Sequence, residues 1–347
     1  MFTITKRFQE QIRERKFPKL GIEAPGALTI SGGLATFPWD GTSVGDLLRR
    51  ADELGALCDA AHGAGLAVHV DGDKPGAQKL GQQFKVRGYP TLVLFKPDRT
   101  ELTRLPGEAE ASQVMELLRQ GLAGGRPAKA VLADARARKP VSADEWRLLA
   151  FYSFETDDEQ LLGSTAAASV LADLAIGSAA APPDTRTRLW LRAVAASDDG
   201  KGLKADGPLR SRVRQVLADP AQVRAFADVI FNSAPDMVRA LGDTPELRQG
   251  FVAAFEPALR RLEADPGLSR GDRLSALVSR IELARIERPK RDLRPPMPEA
   301  LLRDVREHVS AADRSITDGY EREAVIPFAA YALERAGLWA ESESLQI

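Results

Sequence analysis

The single cysteine of the chain, Cys58, is the one residue that could carry thiol chemistry. A thiol becomes reactive where a helix N-terminus or a neighbouring cation lowers its pKa. Cys58 instead falls well inside a predicted helix, between Leu57 and Asp59, and belongs to no CxxC motif. We therefore predict a buried and inert thiol. One cysteine also excludes an internal disulfide, so cysteine content does not indicate a redox compartment.

Two histidines, His62 and His69, lie near Asp71 and Asp73, and these side-chain types bind metal ions. His62 ends a predicted helix and His69 lies on a predicted strand, and no third ligand follows at metal-ligand spacing. The two aspartates are better explained as a turn after that strand, because the later ligands and closing Glu of a calcium loop are missing. No metal or other cofactor is therefore expected. The third histidine has no nucleophile context, so no catalytic triad is predicted either.

The most distinctive local pattern is the segment FKVRGYPTLVLF at residues 84–95. Pro90 directly precedes an apolar strand, and an X-Pro bond is the peptide bond that adopts the cis form at least cost. A proline also cannot donate to a sheet ladder. This position predicts a loop whose backbone stays open toward a ligand or a neighbouring segment.

The elements around this loop follow a definite order. We predict a strand, a short helix, the strand after Pro90, a hairpin turn, a returning strand and a closing amphipathic helix, over residues 66–72, 75–84, 91–95, 96–101, 102–105 and 111–122. This order resembles the second half of a thioredoxin fold, with the family's cis-proline at Pro90. The phrases VDGDKPGAQKLGQQFKVRGYPTLVLF and DEWRLLAFYSFETDDEQLL resemble bacterial thioredoxin-family proteins that have a long helical C-terminal region.

The thioredoxin resemblance implies a peptide-binding loop without its redox cysteines. The family binds an extended peptide beside the cis-proline, and main-chain contacts of that kind require no thiol. The residues that the resemblance assigns to peptide binding are Arg87, Gly88, Tyr89, Pro90 and Thr91.

The N-terminal part of the chain resembles a different family. The segment LTISGGLATFPWDGT at residues 28–42, followed by DLLRRADE at 46–53, is similar to the C-terminal third of a GGDEF (diguanylate cyclase) domain. The catalytic loop, the metal-binding aspartate and the inhibitory arginine motif of that family would all precede Met1. Two-metal phosphoryl chemistry needs those carboxylates. Cyclase activity is therefore not expected, and neither GTP nor cyclic di-GMP is expected as a ligand.

The two resemblances meet inside one predicted domain. A strand, helix and strand over residues 28–37, 44–61 and 66–70 could supply the missing first unit of a thioredoxin fold, with a right-handed crossover. The residues that would then replace the family's Trp-Cys-x-x-Cys are Trp39, Asp40, Gly41, Thr42 and Ser43. A fusion created by a frameshift or an assembly error remains the alternative.

The pattern changes to helices from Ser142 onward. Ser142 and Glu145 form a predicted capping box, and helix-length apolar segments separated by Pro and Gly follow it. We predict an all-α domain of antiparallel helix pairs stacked as an irregular solenoid, truncated after the apolar pair at residues 331–339. The aromatic residues near its start are expected to be core residues that pack the helical domain against the thioredoxin-like one: Trp146, Phe151, Tyr152 and Phe154.

The predicted fold class is therefore an α/β thioredoxin-like domain with an atypical GGDEF-like first unit, followed by an all-α helical-repeat-like domain. The GGDEF-like fragment covers residues 1–65 and the thioredoxin-like second half covers 66–123. A linker at 124–141, within which a short helix is predicted, leads to the helical domain at 142–347.

Composition limits the partners and the location. A net charge of -1 gives no general attraction to nucleic acid, and no apolar run is long enough to span a bilayer. The family resemblance implies a periplasmic location. The sequence as given begins without the apolar core of a signal peptide, and so predicts a cytoplasmic one.

The sequence is compatible with three functions. The favoured one is a redox-inactive, thioredoxin-family module that binds protein or peptide clients and has no enzymatic activity. The first alternative is a thiol-disulfide oxidoreductase family member whose catalytic segment is lost. The second is a vestigial diguanylate cyclase fragment.

We expect no activity in an insulin-reduction assay, because dithiol turnover needs two cysteines and the chain has one. The assay should follow insulin precipitation with dithiothreitol as reductant, beside a thioredoxin that has its CxxC as the positive control. Turnover above the dithiothreitol background would contradict the prediction.

Overall fold

The computed structural model describes residues 79, 82–84, 91–95, 101–106, 125–152, 154, 161–163, 165–197, 202–287, 297–316 and 319–346. The chain divides into two units, Met1–Ala77 and Gln78–Ile347, and every described residue lies in the second. The predictions for the GGDEF-like fragment, Cys58 and the histidine-aspartate group at 62–73 therefore lie outside the described residues.

Two strands form an antiparallel hairpin. Strand β1 covers Thr91–Phe95 and strand β2 covers Glu101–Pro106. Thr91 lies opposite Pro106 and Phe95 opposite Glu101, with a register irregularity after Leu94. The sequence predicts both strands to within one residue, because alternating β-branched and apolar residues on either side of a Pro-Asp turn are a local signal.

Twelve α-helices account for most of the described residues. They are α1 Ala128–Arg136, α2 Ala143–Phe151, α3 Ala167–Gly177, α4 Pro183–Ala195, α5 Gly207–Ala218, α6 Pro220–Ala225, α7 Ala227–Leu241, α8 Pro245–Ala264, α9 Arg270–Leu283, α10 Glu299–Ser315, α11 Gly319–Ala336 and α12 Trp339–Gln346. No described helix is both long and apolar enough to cross a membrane.

The predicted α/β thioredoxin-like fold is wrong for the part of the chain that the structure describes. The described residues are mostly helical, and their strands form one two-stranded antiparallel sheet. A thioredoxin fold needs further strands beside this hairpin. The prediction failed because a hairpin takes its register from its own turn and specifies no additional strand partners.

The helices pack as a stacked array. Helices α2, α4, α7, α9 and α11 form a row in which each contacts the next. The intervening helices cover this row, with α3 on α4, α8 on α7 and α9, and α10 on α9 and α11. Helix α1 packs on α2 and α3 and also contacts β2. The described residues after Ser142 are thus mostly helical, as predicted, although the break predicted at residues 232–233 falls at Phe226 instead.

The apolar core follows the array as three clusters. The first lies among α1–α4 and contains Leu149 and Leu171, and the second lies among α4–α9 and contains Phe251 and Phe255. The third joins α9 to α10 and α11 around Leu277. Helix α9 contributes side chains to both the second and third clusters, so it packs against helices on two sides.

Two sequence predictions at the start of the array are confirmed. Ser142 Oγ accepts a hydrogen bond from Glu145 N at 3.3 Å, and Ser142 N donates to Glu145 Oε2 at 2.8 Å, which completes the capping box. Trp146, Tyr152 and Phe154 are buried in the first cluster, and Phe151 packs against it. These aromatic residues are therefore core residues of the helical array, and their packing against a thioredoxin-like domain stays a prediction.

Candidate binding site

The loop predicted to bind peptides is represented in the structure by one residue. Thr91 is the first residue of β1 and pairs with Pro106. Residues 87–90, and residues 39–43 predicted to replace the redox motif, lie outside the described residues. The site that the sequence predicts therefore stays a prediction.

A surface cleft of about 390 Å³ lies between α4, α5 and α6. This volume is at the lower end of the range for ligand pockets. The lining residues are Thr187 from α4, Pro208, Ser211, Arg212, Gln215 and Val216 from α5, and Gln222 from α6. The lining is largely polar and carries a single charge, the guanidinium of Arg212.

The start of α5 fixes which residues face the cleft. Asp206 caps the helix by accepting a hydrogen bond from Leu209 N at 2.8 Å, and a proline occupies the first turn. Both features favour a helix that begins at this point. Ser211 and Gln215 are then one turn apart and lie on the same face. On the opposite side, Val213 is buried in the second core cluster, which anchors the helix.

Arg212 is held in place by an aromatic ring. Its guanidinium carbon lies 5.1 Å from the centre of the Trp190 ring. Trp190 packs against both the first and second core clusters, so the ring is a fixed support. A cation over an indole face is attracted by the ring quadrupole. Among the described residues Arg212 has no carboxylate partner, whereas Arg210 on the same helix binds Asp243 at 3.1 Å.

The hydrogen-bonding side chains of the cleft are one guanidinium, which only donates, and hydroxyls and amides, which both donate and accept. Thr187 Oγ1 already donates to the carbonyl of Pro183 at 2.9 Å, and Gln222 Nε2 donates to Asp219 at 3.3 Å. In the described part of the chain, no hydrogen-bond partner contacts the side chains of Ser211, Arg212 and Gln215. The cleft therefore offers a guanidinium, a hydroxyl and an amide to an incoming acceptor.

Apart from the cleft, a cluster of charged residues lies between α8, α9 and α10. The Arg280 side chain is 1% exposed and binds three carboxylates: Glu256 at 2.8 Å, Glu263 at 2.7 Å and Asp304 at 2.9 Å. Arg260 binds Glu256 and Asp304, each at 2.9 Å, from the solvent side. We call these five residues the Arg280 network.

The Arg280 network contains one carboxylate more than it has guanidinium groups. Glu263, only 2% exposed, is the most buried of the three, and its burial raises its pKa to about 7 although the charge of Arg280 acts to lower it. Burial also acts to raise the pKa of Asp304, but the hydrogen bond from Arg280 and the nearby guanidinium charges bring that pKa below its usual value. Protonation of Glu263 therefore brings the network to electrical neutrality.

His308 adjoins the buried end of the network. Its Nδ1 lies 2.9 Å from the carbonyl oxygen of Asp304, and because a carbonyl only accepts, Nδ1 carries the proton. Its Nε2 lies 3.8 Å from Glu263 Oε2. A charged imidazole would thus add a cation beside the most buried carboxylate.

The guanidinium of Arg280 occupies the centre of the network, where it binds all three carboxylates. Within the described residues, no group of three His, Cys, Asp or Glu side chains is arranged to hold a metal.

Sequence reasoning missed both the cleft and the network. A weak signal for the network exists, since Glu256 and Glu263 are two helical turns apart and share a face of α8. Their partners on α9 and α10 come from distant parts of the chain. For the cleft, nothing in the sequence distinguishes Arg212 from the paired arginines.

Comparison of the chain with protein-family models, with curated proteins and with solved structures finds no match. The thioredoxin-like and GGDEF-like resemblances therefore stay predictions.

Replacement of Glu263 by Gln should change the pH dependence of stability. The folded-state pKa of Glu263 is raised from 4.5 to about 7, so its stabilising effect is full below pH 4.5 and is lost as pH rises to about 7. Glu263→Gln stays neutral throughout. We expect the wild type to lose up to about 3 kcal/mol relative to this variant between those pH values. Urea unfolding followed by circular dichroism measures the difference.

Glu287→Gln is the matched control for that experiment. The hydrogen bond from Arg248 lowers the pKa of Glu287, so its contribution should change only as pH falls below 4.5. A stability difference between wild type and Glu263→Gln that stays constant from pH 4.5 to 7 would refute the assignment.

Proposed function

We propose that this protein is a binding module for protein or peptide partners, and that the helical array presents a binding site in the cleft between α4, α5 and α6. The observation that carries the proposal is the set of unmatched donors in that cleft, on Ser211, Arg212 and Gln215. Polar groups held together on a rigid surface with no internal partner are available to an external one.

The composition of the cleft favours binding over catalysis. General acid-base chemistry needs a titratable group near the reacting atom, and covalent catalysis needs a nucleophile beside a base. The cleft lining contains no His, Cys, Asp or Glu, so neither of its two hydroxyl groups, on Thr187 and Ser211, has a base beside it in the lining. An arginine, a serine and a glutamine can instead orient a ligand through hydrogen bonds.

The architecture also favours a macromolecular partner. Stacked helices form extended surfaces on which each helix pair contributes neighbouring side chains. A cleft of about 390 Å³ that is open to solvent can hold one or two side chains of a peptide whose remainder lies along the helices. This proposal keeps peptide binding from the sequence analysis, but places it on the helical array because the thioredoxin-like fold is not supported.

The test is binding of the full chain to an array of sequence-diverse peptides. We expect Gln215→Trp, which places an indole in the cleft, to weaken binding at least about 10-fold, because the ligand would have to displace it. Fluorescence anisotropy with the best array peptides measures the change.

Gln249→Trp is the matched control, since Gln249 is an exposed glutamine on α8 outside the cleft lining. We expect this variant to bind as the wild type does, and both variants to keep the wild-type far-ultraviolet circular dichroism. The proposal would be wrong if the chain bound no peptide, or if the two variants bound equally well.

A further inference from the structure

We infer that the cleft between α4, α5 and α6 recognises an anionic group on a peptide, a carboxylate or a phosphoryl group, and that Arg212 is its anchoring residue. This inference rests on the proposed peptide-binding function and specifies the chemistry of the ligand. Three observations support it. Arg212 is the only charged residue in the cleft lining, the Trp190 ring lies against Arg212, and the two aspartates nearest to Arg212 in sequence already cap helices.

The charge of the cleft selects an anion. Arg212 is the only charged residue in the lining, and no lining carboxylate offsets it. The flanking Ser211 and Gln215 add neutral donors on the same face of α5. A guanidinium flanked by a hydroxyl and an amide matches the several acceptor lone pairs of a carboxylate or a phosphoryl group.

Arg212 is positioned before any ligand arrives. The Trp190 ring lies against its guanidinium at 5.1 Å, and the ring itself is held by the core. An arginine in a flexible surface position loses conformational freedom on binding, and this loss opposes affinity. Support by the indole reduces that loss and leaves the edge of the planar guanidinium for two parallel hydrogen bonds.

The two aspartates nearest to Arg212 in sequence already accept hydrogen bonds from helix N-termini. Asp206 accepts the capping hydrogen bond of α5 from Leu209 N. Asp219 caps α6 by accepting from Ala221 N at 2.8 Å and also binds the Gln222 side chain.

The experiment begins with the same peptide array, divided by design into three roughly equal sets. One set carries Asp or Glu, one carries phosphoserine, and one carries only neutral residues. We expect the anionic peptides to be enriched among the binders. Comparison of the carboxylate and phosphoserine sets identifies which of the two groups the cleft prefers.

The best anionic peptide is then titrated against variants of the full chain by fluorescence anisotropy. Arg212→Gln should weaken binding by about 10- to 100-fold, because it removes a charge-assisted contact. Arg239→Gln, which changes an exposed arginine on α7 outside the cleft, should bind as the wild type does. Arg212→Lys should fall between them, since it keeps the charge and loses the two-pronged geometry.

The outcomes separate the inference from the function on which it rests. Binders without anionic enrichment, whose binding Gln215→Trp still blocks, would overturn the inference and leave peptide binding intact. Equal affinities for Arg212→Gln and Arg239→Gln would also overturn it. An array without any binder would contradict the proposed function itself.

Discussion

The buried guanidinium of Arg280 is the contact on which the middle of the array depends. From α9 it binds Glu256 and Glu263 on α8 and Asp304 on α10, so one side chain joins three helices. Withdrawing these charges from water is costly, and the cost is offset only while every partner is present. The network therefore joins α8, α9 and α10 through charged contacts in addition to their apolar packing.

Helix α8 links this network to the candidate binding cleft. It contacts α5 and α6, and Arg214 on α5 lies 4.4 Å from the centre of the Phe251 ring on α8. A helix held on one side by Arg280 thus supports on its other side the helices that carry most of the cleft. On the far side of the cleft, Trp190 of α4 is held by two core clusters. The α8 contacts and the Trp190 ring therefore both help to hold Arg212 in its position.

The sequence predicts the local features of this protein and not its long-range ones. The hairpin strands, the capping box at Ser142 and the helical segments depend on residues close together in the chain, and they are found. The α/β assignment failed because residues 91–106 specify a hairpin and no neighbouring strands. The Arg280 network joins residues separated by 17 and 24 positions. Such pairings depend on how the helices stack, and helix stacking cannot be read from a single sequence.

The most direct test of this account is the stability of Arg280→Met, measured by urea unfolding beside Arg239→Met. Loss of the buried guanidinium leaves Glu263 without a guanidinium partner and leaves Glu256 and Asp304 with Arg260 alone, so we expect the free energy of unfolding to fall by about 3–5 kcal/mol. Arg239 pairs with Asp236 at the surface, and its replacement should change stability by less than about 1 kcal/mol. Equal stabilities of the two variants would contradict the central role of Arg280.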